Sequence, residues 1–247
     1  MKAIERSGYS CVRNRVLVAV GVILAAVFNS GEAGTAQVVR NINEVILPQS
    51  SHPAPLGTLD ARYLFGARDS EGNALWSTDG TRGGTRLLRH YGQGLGVFSS
   101  PDHRNMVEIS GRAYFLAGDA GTGLELWTTD GTSEGTHLVI DLYPGPDGSG
   151  ARIQGTLGAQ VLFTAQSNEA AQLYITDGTA VGTRALTDLV GPNEGLLVES
   201  VFIAEDKVYF VTFGYQYDYQ IWVSDGTLAG TRAVTHPYSS AIGDLAE

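Results

Sequence analysis

Cysteine is all but absent. Cys11 is the single one in 247 residues, and it lies in an N-terminal stretch unlike the rest of the chain. Beyond that stretch there is no disulfide and no thiol chemistry, so burial and hydrogen bonding must hold the fold. Cations are scarce as well, with 16 Lys and Arg against 26 Asp and Glu. Such a surface repels phosphate backbones and anionic lipid, which argues against nucleic-acid binding. Helical periodicity is missing throughout, and 32 glycines would penalise helices heavily. After residue 33 no apolar run approaches the roughly 20 residues a spanning helix needs, so no membrane span is expected there.

The N-terminal stretch reads as a leader. Lys2, Arg6, Arg13 and Arg15 precede the apolar run "VLVAVGVILAAVF" (16–28), and the small residues of "NSGEAGTAQ" follow. Cleavage after Ala33 or Ala36 would suit a signal peptidase, which makes 1–33 a signal peptide and the protein secreted or displayed at the cell surface. An uncleaved anchor is the alternative. Removing residues 1–33 takes four of the cations and two of the anions, leaving a net charge of about −12. With 43% apolar residues, the remaining chain can bury a sizeable core.

What is abundant is one phrase. "ALWSTDGTRGGTRLLRH" (74–90), "ELWTTDGTSEGTHLVIDL" (125–142), "QLYITDGTAVGTRALTD" (172–188) and "QIWVSDGTLAGTRAVTH" (220–236) are four versions of it. Its aromatic anchors, Trp76, Trp127, Tyr174 and Trp222, are 51, 47 and 48 residues apart. A period near 48 suits a four-stranded antiparallel unit with its turns. Each copy has a β-rich run such as "RAYFLAG" (112–118), preceded by a weaker strand such as "MVEISG" (106–111) and followed by the anchor strand. Asp-Gly then marks a hairpin at Asp79–Gly80, Asp130–Gly131, Asp177–Gly178 and Asp225–Gly226, because Gly supplies positive φ cheaply. The Asp carboxylate can accept bonds from turn N–H groups, and Thr132 and Thr136 can cap further loop groups. Gly84, Gly135, Gly182 and Gly230 recur as though a Cβ would collide there. These Asp residues therefore read as turn holders.

Units apolar on both faces need neighbours on both sides. Stacked radially they give an all-β propeller of about four blades, with the large aromatics wedged between them. The blades fall at about 52–95, 103–145, 152–190 and 198–238, with the weak strand of each innermost and the last strand outermost. The segment 34–51 is a linker whose strand near 36–43 is expected to join the C-terminal residues or to lie at an open seam. The array reads as incomplete.

The second copy, "ELWTTDGTSEGTHLVIDLYPG", resembles the ELWxxDGT repeat of exported bacterial proteins, with Tyr174 and "HYGQG" (90–94) as departures. The resemblance implies propeller blades and export, and carries no assigned activity. The turns also resemble the Asp-box hairpins of sialidases. A sialidase-like site needs converging arginines, whereas Arg86, Arg184, Arg232 and His137 share one register on different blades and read as solvated strand residues. No carboxylate pair suggests a glycan hydrolase or lyase, which stays the alternative function, and no catalytic residue is assigned. His90, Asp141, Asp188 and His236 would form a zinc-like shell only if the last strands lined the channel, so no metal and no cofactor are expected. "PGPDGSG" (144–150) lacks calcium-loop spacing and reads as a turn. One stretch breaks the pattern: "TFGYQYDYQ" (212–220) puts Tyr215, Tyr217 and Tyr219 on one face of an extended strand. Such a platform suits an extracellular glycan or protein ligand, and a non-enzymatic binding module is the leading reading, with a structural or truncated repeat fragment as a further alternative.

Overall fold

The structure, a computed structural model, describes residues 51–97, 106–167, 171–187, 197–213 and 219–234, plus two short strands near the N-terminus. Among the described residues there is no helix. The chain forms four antiparallel sheets in sequence, which are the blades of a β-propeller. Ahead of them, β1 (Val22–Leu24) pairs with β2 (Val38–Asn41). The strand expected near 36–43 is thus present, paired with β1, while residues 235–247 lie outside the described residues.

Blade one comprises β3 (Ala54–Leu59), β4 (Arg62–Arg68), β5 (Asn73–Thr78) and β6 (Arg86–Gly92). Blade two is built from β7 (Gly96–Val97), β8 (Met106–Ile109), β9 (Arg112–Asp119), β10 (Gly123–Thr129) and β11 (His137–Leu138). Blade three has β12 (Arg152–Leu157), β13 (Gln160–Gln166), β14 (Ala171–Thr176) and β15 (Arg184–Ala185). Blade four has β16 (Leu197–Ala204), β17 (Lys207–Phe213), β18 (Tyr219–Ser224) and β19 (Arg232–Ala233). Each sheet follows chain order. In blade two, β7 and β8 share the inner edge of β9, so this sheet takes in residues ahead of the boundary expected at 103. The inner strands of the other blades carry a register shift in their upstream halves, at Pro55/Gly57, Ile153/Gly155 and Val198/Ser200.

First strands stand beside first strands: β3 by β8, β8 by β12, β12 by β16. They line the axis, and the fourth strands form the outer edge. Among the described strands, the substantial contacts between different blades join consecutive blades only, so these four sheets do not close into a ring on each other. The last strand of each phrase is shorter than its apolar residues suggest. Two residues of β11, β15 and β19 pair in the ladder, one further bond to the third strand follows from Val139, Leu186 or Val234 N, and after β11 the chain turns off toward the next blade. In blade one, where "HYGQG" departs from the pattern, β6 runs on to Gly92.

The core lies between blades. A cross-strand aromatic pair on each blade (Phe115↔Trp127, Phe163↔Tyr174, Phe210↔Trp222) faces back toward the preceding sheet. Phe115 and Trp127 pack on Leu64 and Leu75 of blade one, Phe163 and Tyr174 on Leu116 and Leu126 of blade two. Phe210, with Trp222 beside it, packs on Leu162, Leu173 and Ile175 of blade three. Phe65 and Trp76, the pair of blade one, are also buried. Each such ring contributes on the order of 1.5–3 kcal/mol by leaving water, which explains the steady recurrence of the anchors.

Candidate functional site

The Asp-Gly-Thr loops lie at one end of the blades. In each, one carboxylate oxygen accepts two bonds from the same threonine: Asp130 Oδ1 takes Thr132 N at 2.9 Å and Thr132 Oγ1 at 2.6 Å. Thr132 Oγ1 accepts from Gly135 N, and Thr136 Oγ1 donates to the Thr132 carbonyl. Asp79, Asp177 and Asp225 repeat the pattern with Thr81, Thr179 and Thr227. These threonine bonds hold all four carboxyls below the usual carboxylate range. A Cβ at Gly84, Gly135, Gly182 or Gly230 would fall on the Asp carboxylate of its own loop.

Two supports under the loops have signals in the sequence that the phrase alone does not draw out. A hydroxyl residue precedes every Asp, and it bonds the second threonine of the loop: Thr78 to Thr85, Thr129 to Thr136, Thr176 to Thr183, Ser224 to Thr231. In blades one and two an arginine also clamps the loop. Arg112 donates to Thr128 Oγ1 and to the Gly135 carbonyl, and Arg62 does the same to Ser77 and Gly84. Gln160 and Lys207 hold that position in blades three and four.

Loops also touch the blade before them. Tyr114 Oη of blade two donates to the Asp177 carbonyl of blade three at 3.2 Å, and Arg184 of blade three donates to the Gly226 carbonyl of blade four at 2.9 Å. Arg86, His137 and Arg232 are exposed in the same register on their own blades, as is Arg184, and they do not converge.

At the opposite end, connectors cross between blades. Segment 144–150 folds back as a turn and bridges to the sheet of blade two at Leu124↔Gly148. Glu125, fully buried, takes Ser149 N at 2.8 Å and Ser149 Oγ at 2.5 Å. Burial pushes its carboxyl up, opposed by the Ser149 bonds and assisted by the Asp141 charge. The Glu125–Ser149 contact was not evident in the sequence, and it clips a connector to its blade. Gln172 occupies the same place in blade three and accepts from Thr187 Oγ1. His90 lies 2.9 Å from both Asp69 and Glu71, within blade one, and Asp141 lies in blade two. The other members of that set, Asp188 and His236, lie outside the described residues.

Between the connector ends of blades three and four is a cleft of about 600 Å³, lined in part by Arg152, Thr164, Gln166, Gln172 and Glu199. Arg152 makes no ion pair among the described residues. Tyr219 belongs to the same end of blade four, paired with Phe213, its ring centroid 4.8 Å away and its side chain largely exposed. Tyr215 and Tyr217 lie outside the described residues.

No protein-family profile matches the chain, and no curated protein matches it. Solved structures similar to it include TolB from Acinetobacter baumannii, at 15% identity over 76% of this chain and 45% of that one, with a TM-score of 0.43. Oligopeptidase B from Leishmania major aligns at 13% identity over 75% and 27%, with a TM-score of 0.45. Prolyl oligopeptidase B from Galerina marginata aligns at 15% over 74% and 26%, with a TM-score of 0.41. The chain spans less than half the length of each.

Proposed function

We propose that the chain is an exported, non-enzymatic propeller of the ELWxxDGT type that binds an extracellular glycan or protein segment at the connector end of blades three and four. The cleft beside Arg152 carries the reading. Apart from Gln172, its polar groups lie outside the repeated phrase, so the blade itself does not require them. Arg152 offers a fixed planar cation, Gln166 and Glu199 offer hydrogen bonds at the rim, and the exposed Tyr219 stands at the same end with an apolar ring face. A sugar with acidic or hydroxyl groups, or an acidic peptide, suits that combination.

Equilibrium binding to a panel of glycans and acidic peptides tests it. Arg152→Ala and Tyr219→Ser should each weaken binding several-fold while leaving the melting temperature near that of the parent. Binding indifferent to both substitutions would defeat the reading. Release of reducing sugar from a bound glycan would instead favour the hydrolase alternative. Export rests on the leader of residues 1–33, and mass spectrometry of protein recovered outside the cell should find an N-terminus at 34 or 37.

A further inference from the structure

Blade four leaves open the face that every earlier blade buries. The residue before the aromatic of the second strand is Leu64, Tyr114 or Leu162 in blades one to three, each at most 2% exposed. In blade four it is Tyr209, at 39%. The residue before the anchor aromatic is Leu75, Leu126 or Leu173 in the first three blades, each at 0%, and Ile221 in the fourth, at 44%. Phe202, opposite Tyr209 in the ladder and so on the same face, is 67% exposed. A contiguous apolar sheet face of this kind marks an interaction surface.

The three buried versions of the face show what fits it. In each, the centre receives the aromatic pair of the following blade. At the loop end, the donors are polar and specific. Tyr114 reaches the Asp177 carbonyl, and Arg184 reaches the Gly226 carbonyl. Tyr209 holds the register of Tyr114, one residue before the second-strand Phe. Arg232 holds that of Arg184, opposite Val223 where Arg184 is opposite Ile175. The Asp-Gly glycine is part of the fit as well. At Gly178 a Cβ would strike the Tyr114 ring, and at Gly226 it would come within 2.9 Å of Leu157.

We propose that the open face of blade four docks a further blade of the same repeat. The partner is a four-stranded antiparallel sheet that sets an aromatic pair against Phe202, Tyr209 and Ile221. It lays an Asp-Gly-Thr loop against Tyr209 and Arg232, whose hydroxyl and guanidinium donate to the Asp and Gly carbonyls of that loop. The interface has the loop donors and aromatic packing of the three inside the chain, with Phe202 on the inner strand where Gly57, Val107 and Gly155 stand, and it is independent of the ligand cleft.

The face can be offered such a blade on the full chain. Residues 152–187, which form blade three, are appended after Glu247, so that 234–247 stand in for the connector 139–151. A second extended chain carries residues 139–187 after Val234, which guards against an unsuitable connector. In at least one of them the added blade should melt together with the parent sheets and raise the midpoint. Backbone amides of 207–213 and 219–224 should exchange at least about tenfold more slowly. Tyr209→Phe and Arg232→Gln should lower the midpoint of the extended chain and leave that of the parent unchanged. The proposal is overturned if both extended chains keep the parent's midpoint and exchange pattern. It is also overturned if the parent alone sediments as a dimer with this face protected, since a second copy would then be the occupant.

Discussion

Replacing Gly135 by alanine should eject Asp130 from its turn. A methyl group there lands on the Asp130 carboxyl group. Gly135 is not among the positive-φ glycines, so alanine suits its backbone and the collision is what costs. The carboxylate must swing away, forfeiting the bonds from Thr132 N and Thr132 Oγ1. At about 0.5–1.5 kcal/mol net for each, two bonds come to about 1–3 kcal/mol. The Asp130 side chain is 39% exposed, so water replaces part of the loss and about 1–2 kcal/mol is expected. Asp130→Ala forfeits the same bonds without a collision and should cost the same amount. In that background Gly135→Ala has nothing to strike, and it should add less than about 0.5 kcal/mol. The double-mutant cycle therefore has a coupling energy of about 1–2 kcal/mol. Urea titration followed by circular dichroism measures it, and hydrogen exchange over 123–129 supplies a readout local to blade two. Two additive substitutions would refute the reasoning, because Gly135 would then be conserving something other than space for the carboxylate.

Trp127→Ala should cost about 3–5 kcal/mol in thermal or urea unfolding, because the ring is 2% exposed, meets Tyr91 edge-on and lies under Arg89. Glu125→Ala should cost about 2–4 kcal/mol by leaving Ser149 N–H and Oγ–H buried without their acceptor, whereas Glu125→Gln keeps an amide that can serve both and should stay within about 1 kcal/mol of the parent. The Glu125 carboxyl is raised on folding, so its contribution is largest at low pH and is lost as pH rises from the unfolded value toward the folded one; Glu125→Gln should remove that loss, read as a smaller drop in the denaturation midpoint between pH 4 and pH 8 at these approximate limits. The four loop Asp carboxyls are lowered, so the sign is opposite: their stabilisation is complete above about pH 4 and is lost as pH falls through the folded values, and Asp130→Asn should blunt the acid limb of the midpoint curve.

The sequence made the blades legible because the blade needs the same solution four times. Asp-Gly at each hairpin, a large aromatic on each third strand and a steady period are local requirements, and they survive in every copy. The order of strands from axis to rim followed from their apolar content and is the order found. What was hidden depends on contacts between copies. Nothing in "GRAYFLAG" distinguishes Tyr114 as a donor to the next loop, since its partner is a backbone carbonyl 63 residues away. Glu125 looked like one letter of a repeated phrase, yet its role is set by Ser149, in a connector that varies from blade to blade. Arg62 and Arg112 were invisible for the opposite reason, because their equivalents Gln160 and Lys207 break the repeat before it can be noticed. The fourth strands are shorter than their apolar content suggests: Val139 and Leu186 each keep one backbone bond to the third strand, and their side chains are buried in the blade-to-blade core.

The same distinction separates scaffold from specificity. A residue shared by all four copies is explained once its place in the blade is explained, and the Asp carboxylates are accounted for by the threonines of their own loops. Residues that differ between copies divide further. Glu125 and Gln172 differ and yet do one job, tying a connector to its blade. Tyr209 and Ile221 stand where the earlier blades have Leu or Tyr and Leu, whereas Phe202 is far larger than Gly57, Val107 and Gly155 in its register; what is core in three blades is surface in the fourth. A face kept apolar while exposed, with a tyrosine and an arginine in the registers that grasp a neighbouring loop, retains the chemistry of a blade contact. Arg152 has no counterpart in that scheme. It lines a cleft between sheets, at the end away from the loops, and makes no ion pair among the described residues, which is why ligand binding is proposed there and blade docking at the open face.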